Sequence, residues 1–371
     1  MKKLVSILLA VLMLAGMLTG CGQQAAGTAP ASSAAEAEPA GTVSEPAMRE
    51  FTDDCGRTVT IPSDVKSVAV TGPLTQIYMV SIGSDIMAGS SNSYSEDAEK
   101  YLPERLFTIP ELGQLYGGKG TMDLEALLAA NPDFIVDVGE PKGSMAEDLD
   151  GLSEQTGIPF VHIDATMLTA PAAYRRLGEL LGMQDKAEEV AVYLEGALAE
   201  VDEIMQKVDA DGARKKLVYC LGDKGLNVLA EASFHAETLK LVADNVAVLD
   251  DVVSSGAGNE VDMEQLMIWN PDVIIFAPDS VYSQVGDDPT WQQLDAIKNG
   301  EFFATPTGPY GWLQSPPSVQ RYLGMLWLCS LLYPDYCSYD LQETVTEYYS
   351  IFYGHELTAE EYSLLTADSL R

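Results

Sequence analysis

Residues 121–139 read TMDLEALLAANPDFIVDVG, and residues 260–278 repeat the pattern as EVDMEQLMIWNPDVIIFAP. In each copy an Asp stands where it can cap a helix N-terminus, and a Glu follows in the first turn, which the helix dipole favours. An Asn-Pro pair then ends the helix, because proline disfavours helical geometry in the residue before it. A short apolar segment follows as a buried strand. The two copies therefore predict two lobes of similar topology.

The repeat is supported by seven identical positions, each pair separated by a constant offset of about 139 residues. They are Asp123, Glu125, Leu127, Asn131, Pro132, Asp133 and Ile135, which match Asp262, Glu264, Leu266, Asn270, Pro271, Asp272 and Ile274.

Short apolar segments alternate with helix-period segments along the rest of the chain. The predicted strands are residues 67–70, 86–88, 134–138, 160–163, 216–221, 273–277 and 302–305. Alternation of this kind is typical of βαβ units. The predicted fold class is therefore α/β, with parallel or mixed sheets covered by helices.

One long amphipathic helix separates the two copies of the repeat. Asp185 and Glu188 resemble a capping box, and apolar residues then recur at helical spacing between positions 190 and 208. About 23 residues would span roughly 35 Å, enough to cross a small domain. A shorter helix over residues 172–181 precedes it and is broken at Gly182.

The first 48 residues are not expected to belong to the fold. Lys2 and Lys3 precede an apolar stretch over residues 4–18, and the tetrad LTGC at residues 18–21 resembles a bacterial lipobox. That resemblance implies that Cys21 is acylated, with palmitate, and becomes the mature N-terminus; the alternative is an ordinary signal peptide with an incidental Cys. Residues 22–47 lack large apolar side chains and are predicted to be a flexible tether.

The composition narrows the functional classes. The length of 371 residues suggests about two domains. A net charge of −35 excludes binding to the nucleic-acid phosphate backbone and electrostatic adhesion to anionic lipid. Three His and five Cys exclude a His-rich metal cage and a disulfide-dense scaffold.

Four stretches in order resemble the class III substrate-binding proteins of ABC importers, which handle ferric siderophores, haem and cobalamin. They are residues 51–70 (FTDDCGRTVTIPSDVKSVAV), 113–137 (GQLYGGKGTMDLEALLAANPDFIVD), 291–300 with Phe302, and 308–335 (GPYGWLQSPPSVQRYLGMLWLCSLLYPD). The resemblance implies two Rossmann-like lobes joined by a single long α-helix, with ligand held between them and only modest closure. The predicted division is a signal peptide (1–20), a lipidated N-terminus and tether (21–48), an N-terminal lobe (49–168), a bridging helical segment (169–208) and a C-terminal lobe (209–371).

The ligand is expected among loops at strand ends, where α/β sheets place their ligands. These loops are residues 71–75, 90–94, 116–120, 139–143, 222–226, 254–259, 278–284 and 307–314. The predicted ligand-binding residues are Pro73, Leu74, Asn92, Tyr94, Tyr116, Gly117, Gly118, Lys119, Lys142, Lys224, His235, Tyr282, Tyr310 and Trp312. Aromatic faces suit a planar chelate, and the lysines suit carboxylate or catecholate groups. The alternatives are packing aromatics and solvated lysines.

Two acidic residues carry a second implication of the resemblance. In that family one acidic residue on each lobe pairs with Arg on the two permease subunits, and Glu125 and Glu264 occupy the matching positions. The alternative is that both carboxylates only stabilise a helix start.

Histidine and cysteine are predicted to be mainly structural. His235 can reach the cleft and an iron there, or can merely cap or pack, while His162 lies within a strand pattern and His355 near the C-terminus. The three histidines lack metal-ligand spacing. The sequence leaves open whether Cys329 and Cys337 pair, and the helix end and Pro334 between them disfavour a disulfide.

The sequence thus predicts a lipid-anchored extracytoplasmic receptor that delivers a metal chelate to an ABC permease dimer with its ATPase subunits. It is expected to be a monomer with no cofactor and no resident metal. No catalytic residues are expected either, because no nucleophilic triad occurs in the sequence. The alternatives are a receptor for a bare metal ion or oxyanion, a chelatase-like enzyme, and a structural lipoprotein.

Overall fold

The computed structural model describes residues 46–115, 121–253, 255–314 and 316–371. The predicted signal peptide, Cys21 and nearly all of the tether lie outside these residues, as do Tyr116, Gly117, Gly118 and Lys119. Within the described ranges, every helix is too short or too polar to cross a lipid bilayer.

The first half of the fold is built around a three-stranded parallel sheet. In chain order its elements are β1 (Met48–Thr52), β2 (Thr58–Pro62), β3 (Val68–Val70), α1 (Pro73–Gly83), α2 (Leu124–Ala130), β4 (Phe134–Gly139), α3 (Met145–Thr156), β5 (Phe160–Asp164) and α4 (Ala170–Leu181). The antiparallel pair β1–β2 precedes the sheet, whose strand order is β3-β4-β5. Because all three strands run the same way, their carboxyl ends meet at one edge.

A single helix, α5 (Gln184–Ala210), connects the two halves and confirms the predicted long helix with 27 residues. It begins directly after α4, which Gly182 ends in a left-handed conformation with φ 73°. The two helices pack closely at Gly178, where a Cβ would lie 2.4 Å from the Cβ of Ala187. The predicted capping box is not formed: Met183 occupies the cap position and no side chain caps the helix.

The second half is built around a six-stranded mixed sheet. Its elements are β6 (Lys216–Leu221), β7 (Asn227–Val228), α6 (Glu237–Val242), β8 (Asp244–Asn245), β9 (Asn259–Glu260), α7 (Met263–Trp269), β10 (Val273–Phe276), α8 (Tyr282–Val285), α9 (Asp295–Lys298), β11 (Phe302–Ala304), α10 (Arg321–Leu332), α11 (Leu341–Tyr353) and α12 (Ala359–Leu365). The order is β11-β10-β6-β7-β9, with β8 beside β6. Strands β6, β8, β10 and β11 are parallel, and β7 pairs antiparallel with its neighbours.

Short 3₁₀ turns complete the described part of the chain. They are Ser84–Ile86, Glu96–Lys100, Glu104–Phe107, Phe234–Ala236, Trp291–Gln293 and Pro334–Tyr336.

One predicted strand is wrong. Residues 86–88 form no strand: a 3₁₀ turn ends at Ile86, and Met87 alone bridges to Val68. The segment is apolar because it is buried beside β3, but it is too short to extend the sheet. The other six predicted strands are confirmed to within one residue at either end.

The repeated sequence forms the same unit twice. The side chain of Asp123 caps α2 by accepting from the backbone N–H groups of residues 125 and 126, and Asp262 caps α7 by accepting from residue 265. Both helices end at an Asn in the left-handed conformation, Asn131 with φ 45° and Asn270 with φ 42°. The predicted capping and helix ends are therefore confirmed.

One helix after the second sheet packs against the first half of the fold. Helix α11 packs against α1, and its Tyr349 and Phe352 contact Tyr101 and Tyr174 of the first half at ring-centroid distances of 5.4 and 6.3 Å. The last residues then return to the second sheet, where the backbone N–H of Ala304 donates to the carbonyl of Asp368. The boundary of the C-terminal lobe at residue 209 stays a prediction.

Candidate ligand-binding cleft

A cavity of about 790 Å³ lies beyond the carboxyl ends of β3, β4 and β5 and extends to loops of the second half. We call it the cleft. Its first wall comes from residues 71–75, the end of β4 and the segment that follows β5. Its second wall comes from the 3₁₀ turn at Phe234–Ala236, Gly256, Gln314 and the start of α10. The volume falls within the roughly 300–1,000 Å³ typical of small-molecule sites.

The two walls touch at the edge of the cleft. The hydroxyl of Ser318 donates to the carbonyl of Leu74 at 3.4 Å, and the hydroxyl of Tyr322 donates to the carbonyl of Met167. All four residues line the cavity. The cleft is therefore bounded by direct contacts between the two halves.

Five of the predicted ligand-binding residues line the cleft. They are Pro73, Leu74, Asn92, Lys142 and His235. They come from different segments of the chain, so the fold brings together residues that the sequence keeps far apart.

Another five predicted residues do not line it. Trp312 is only 1% exposed. Tyr94 packs on Phe107, Tyr310 on Tyr353, and Tyr282 on Phe276 and Phe302. Lys224 is exposed in the turn between β6 and β7. These aromatic side chains bury their large apolar area against the core. The loop that carries Trp312 packs tightly on α10. If Gly324 of α10 had a Cβ, that atom would lie only 2.3 Å from the carbonyl oxygen of Trp312.

Several polar residues of the cleft were not predicted, and three of them carry its main polar contacts. Asp137 interrupts the apolar run of β4, and Arg321 begins the apolar helix α10. Charged residues are almost never fully buried without partners, so a charge inside an apolar run is the signal that would have found both. Gln314 lies in a predicted cleft loop, but the residues predicted to bind ligand there were the aromatic Tyr310 and Trp312.

The charged centre of the first wall is Asp137, which is 6% exposed. One carboxylate oxygen accepts from the hydroxyl of Thr71, and the other lies 2.7 Å from Nδ1 of His162. The Nε2 atom of His162 lies 2.7 Å from the carboxylate of Asp164. Burial lowers the pKa of His162, but its hydrogen bonds with Asp137 and Asp164 outweigh burial, and the pKa is raised above its ordinary value. These contacts agree with the predicted structural role of this histidine.

Lys142 adds a cation to the same wall. Burial lowers the pKa of its ammonium group, and the negative charges of Asp137 and Asp148 oppose that change. The first wall thus combines one buried carboxylate with an ammonium group nearby.

The second wall carries the guanidinium of Arg321, whose side chain is 4% exposed. It donates to Glu237 at 3.0 Å and to the carbonyl of Ser318 at 3.4 Å, and it lies 5.0 Å from the ring centroid of Phe234. Burial lowers the pKa of Arg321, and Glu237 opposes that change. The wall therefore offers a cation whose position is fixed by its partners.

His235 and Gln314 form a second polar contact in this wall. Nδ1 of His235 lies 2.9 Å from Oε1 of Gln314, and Nε2 of Gln314 donates to the carbonyl of Gly256 at 3.2 Å. The backbone N–H of His235 donates to the hydroxyl of Ser233. His235 is thus held by one hydrogen bond from its backbone and by one contact of its ring.

The walls combine separated polar groups with apolar surface from residues such as Leu74, Met145 and Phe234. In the described residues, no group of three or more His, Cys, Asp and Glu side chains could hold a metal ion. Cys55, Cys220, Cys329 and Cys337 are all free. The cleft is therefore suited to a molecule with both polar and apolar parts.

Glu125 and Glu264 lie outside the cleft, in the first turns of α2 and α7. Both are exposed. Each helix also exposes an apolar residue one turn later: Leu128 is 51% exposed, and Ile268 is 69% exposed. The two carboxylates therefore mark equivalent points on two structurally repeated units.

Comparison with protein families gives one match over most of the described chain. Residues 68–308 match the model of the family described as Periplasmic binding protein. Among curated proteins, none matches the chain.

Solved structures with the same fold include three bacterial binding proteins. An ABC transporter solute binding protein from Sulfurospirillum deleyianum is 26% identical, with a TM-score of 0.78 over 86% of this chain and 99% of that one. A periplasmic solute binding protein from Veillonella parvula is 22% identical, with a TM-score of 0.72 over 87% and 98%. The molybdate-bound periplasmic binding protein MolA from Haemophilus influenzae is 21% identical, with a TM-score of 0.65 over 84% and 99%.

Proposed function

The chain belongs to the periplasmic binding protein family, and we propose that it is the ABC-importer receptor for a metal chelate of the siderophore, haem or cobalamin kind. The observation that supports this substrate class is the cleft of about 790 Å³, whose walls alternate apolar surface with separated charged groups. A chelate has the corresponding properties, because its organic part is bulky and partly apolar while its donors are polar.

The arrangement of charge also favours a chelate over a bare metal ion. A protein site for a bare transition metal normally supplies three or four ligands within one coordination sphere. The described residues contain no such group. Arg321, Lys142 and His235 can instead bind acidic or neutral donors at the periphery of a larger ligand.

The test is a thermal-unfolding screen of the purified protein with ferric catecholates, ferric citrate, haem and cobalamin, followed by absorption titration of each hit. We expect one chelate class to raise the unfolding temperature in proportion to the logarithm of its concentration, as specific binding to the native state requires. A screen in which no chelate stabilises the protein would contradict the proposal.

An oxyanion is the second candidate, because the cleft holds the guanidinium of Arg321 and the ammonium of Lys142. The molybdate-bound relative with the same fold makes this class worth including. Molybdate and tungstate therefore belong in the same screen. Stabilisation by these anions without stabilisation by any chelate would assign the protein to this second class.

We also propose that the receptor is anchored to the outer face of the cell membrane through an acylated Cys21. The support is the lipobox-like tetrad at residues 18–21 and the tether composition that follows it. Replacing Cys21→Ser should abolish incorporation of radiolabelled palmitate and release the protein from the membrane fraction. Retention of the label in this variant would exclude Cys21 as the anchor.

Docking of the receptor on its permease is the last part of the proposal. Glu125 and Glu264 are exposed and lie at equivalent points of α2 and α7. Two separated carboxylates of this kind could orient the receptor on two related permease subunits through Arg residues.

A further inference from the structure

Three polar side chains form a buried row across the carboxyl ends of the first sheet. Asp137 of β4 pairs with His162 of β5 in the strand register, and the hydroxyl of Thr71, which follows β3, donates to the carboxylate of Asp137. All three residues are more than nine-tenths buried. Apolar side chains would add more to the core at these positions, so the row points to a function other than packing.

Asp137 is the member of this row that lines the cleft together with Thr71. One carboxylate oxygen accepts from Thr71, and the other lies 2.7 Å from Nδ1 of His162. Hydrogen bonds of this kind favour the ionised carboxylate and fix its position. A carboxylate has about four acceptor positions, and these two contacts occupy two of them. Asp137 therefore retains acceptor capacity for a donor group of a ligand.

The other charges around the cleft determine which kind of donor suits this carboxylate. In the described part of the chain, acidic and basic residues that line the cavity balance in number: they are Asp137, Glu140, Lys142 and Arg321. Arg321 also pairs with Glu237 at 3.0 Å, which offsets its positive charge. The whole chain has a net charge of −35, and the field of such a protein attracts cations and repels polyanions. The cleft therefore favours a neutral or cationic chelate over a polyanionic one.

We infer that Asp137 is a specificity-determining residue that binds a protonated amine on the organic part of the chelate, with Thr71 and His162 as positioning residues. This inference rests on the proposed function and narrows its substrate class to chelates that carry a pendant ammonium group. An ammonium group supplies both N–H donors and a positive charge, and charge-assisted hydrogen bonds of this kind are the strong ones. An analogue without the amine leaves the buried carboxylate without this partner, which lowers its affinity.

The first experiment compares two ferric trihydroxamate complexes that differ in a single group. Ferrioxamine B ends in an ammonium group, and its N-acetyl derivative is uncharged at that end. We expect the wild-type protein to bind ferrioxamine B about 10–100-fold more tightly, which is the range expected for one hydrogen bond between charged groups. Quenching of tryptophan fluorescence measures both dissociation constants.

The second experiment removes the charge of Asp137. Asp137→Asn keeps nearly the same shape and should weaken binding of ferrioxamine B by about 10–100-fold. Its affinity for the N-acetyl derivative should stay within about twofold of wild type. The matched control is Asp148→Asn, which removes an exposed charge near Lys142 that does not line the cavity. The control should change each affinity by no more than about twofold.

The third experiment tests Thr71 as a positioning residue. Thr71→Val removes the hydroxyl that donates to Asp137 and should reduce the preference for ferrioxamine B over its N-acetyl derivative. Thr71→Ser keeps a hydroxyl and should retain the preference. A purely structural role of Thr71 would lower the unfolding temperature of the Val variant without changing the ratio of the two affinities.

The inference and the receptor function fail in different ways. Equal affinities of the wild-type protein for the two trihydroxamates overturn the inference, and this comparison decides even if Asp137→Asn does not fold. An unchanged preference in folded Asp137→Asn, or an equal loss in Asp148→Asn, also overturns it. Binding of haem, cobalamin, ferric citrate or a ferric catecholate without binding of ferrioxamine B overturns the inference and leaves the receptor function standing. Failure of the wild-type protein to bind any of these chelates overturns both.

Discussion

At the residue scale, the imidazole of His162 lies between the carboxylates of Asp137 and Asp164, 2.7 Å from each. A neutral imidazole has one N–H and can donate to only one of them. The protonated form satisfies both, and these hydrogen bonds outweigh burial and raise the pKa of His162 above its ordinary value. The two carboxylates therefore favour the protonated form of His162, which lies behind the first wall of the cleft.

This raised pKa predicts a pH-dependent stability. A group whose pKa is raised on folding stabilises the native state fully below its unfolded pKa of about 6.5, and the contribution is lost as pH rises through the folded value. Replacing His162→Gln should therefore lower the free energy of unfolding by about 1–3 kcal/mol near pH 6, and by less at pH 9. The measurement is urea unfolding of both proteins across this pH range.

The matched control is His355→Gln, which changes a partly exposed histidine near the C-terminus. Its effect should be small at every pH. An energy difference for His162→Gln that stays constant from pH 6 to pH 9 would show that protonation of His162 does not contribute.

The sequence predicts where the cleft loops lie better than it predicts which side chains enter the cleft. Pro73 lines the cleft because it follows β3, and parallel strands bring their carboxyl ends to one edge. Asn92 also lines the cleft, although the strand predicted before it does not form. Their role in ligand binding stays a prediction. Tyr310 and Trp312 share the cleft loops in sequence but turn toward the core. The direction of a loop side chain depends on tertiary packing, here on the contact of the 307–314 loop with α10. Local patterns carry no information about that contact.

At the element scale, the repeated helix–strand unit depends on the residue that ends each helix. Asn131 and Asn270 adopt φ values of 45° and 42°, and the following Asp accepts from the backbone at the start of the neighbouring strand in both copies. The helix, the position where it ends and the strand that follows were predictable from sequence, because helix capping and the effect of proline are local. The bond from Asp133 to residues 66 and 67 was not, because it joins distant parts of the chain.

The left-handed ends predict the effect of substitution. The left-handed conformation costs a residue with a Cβ roughly 1–2 kcal/mol, and Asn offsets part of this cost because its short polar side chain can hydrogen-bond locally, which Ala cannot do. We expect Asn131→Ala and Asn270→Ala each to lower the free energy of unfolding by about 1 kcal/mol, whereas Asn→Gly at the same positions should be nearly neutral. Chemical denaturation of the four variants tests this, and equal effects of Ala and Gly would argue against it.

The same two units predict the result of charge reversal. Glu125→Lys with Glu264→Lys should abolish uptake of ligand into cells, because two cations would face the Arg residues proposed on the permease. Ligand affinity of the purified double variant should stay within about twofold of wild type, since neither carboxylate lines the cleft. Uptake assays and ligand titrations measure the two quantities separately.

A charge-matched control separates docking from net charge. Glu154 and Glu360 are also exposed, and lie on α3 and α12 rather than on the repeated unit. Their double reversal to Lys changes the net charge equally and should leave uptake unchanged. If the control variant loses uptake too, general charge rather than specific docking is responsible.

At the scale of the whole molecule, the two halves are joined by more than α5. Helix α11 follows the second sheet in sequence but packs on α1 of the first half, and α10 packs on α5. The sequence predicted one bridging helix from its length and its position between the repeats. It did not predict the return of α11, because an amphipathic helix does not specify which of two lobes covers its apolar face.

These contacts predict how far the cleft can close. A continuous helix of 27 residues resists bending, and rotation of the two halves would also separate Tyr101 from Tyr349. Crystal structures with and without the chelate identified by screening should therefore superpose over residues 46–371 with a Cα deviation of about 1 Å or less. X-ray scattering of the same two samples should give the same radius of gyration within error.

Truncation before α11 provides the contrasting case. Because α11 contacts both halves, its removal should increase the difference between the free and bound scattering curves. A large clamshell rotation in the intact protein would mean that α5 bends and that the contact between α11 and α1 is easily broken.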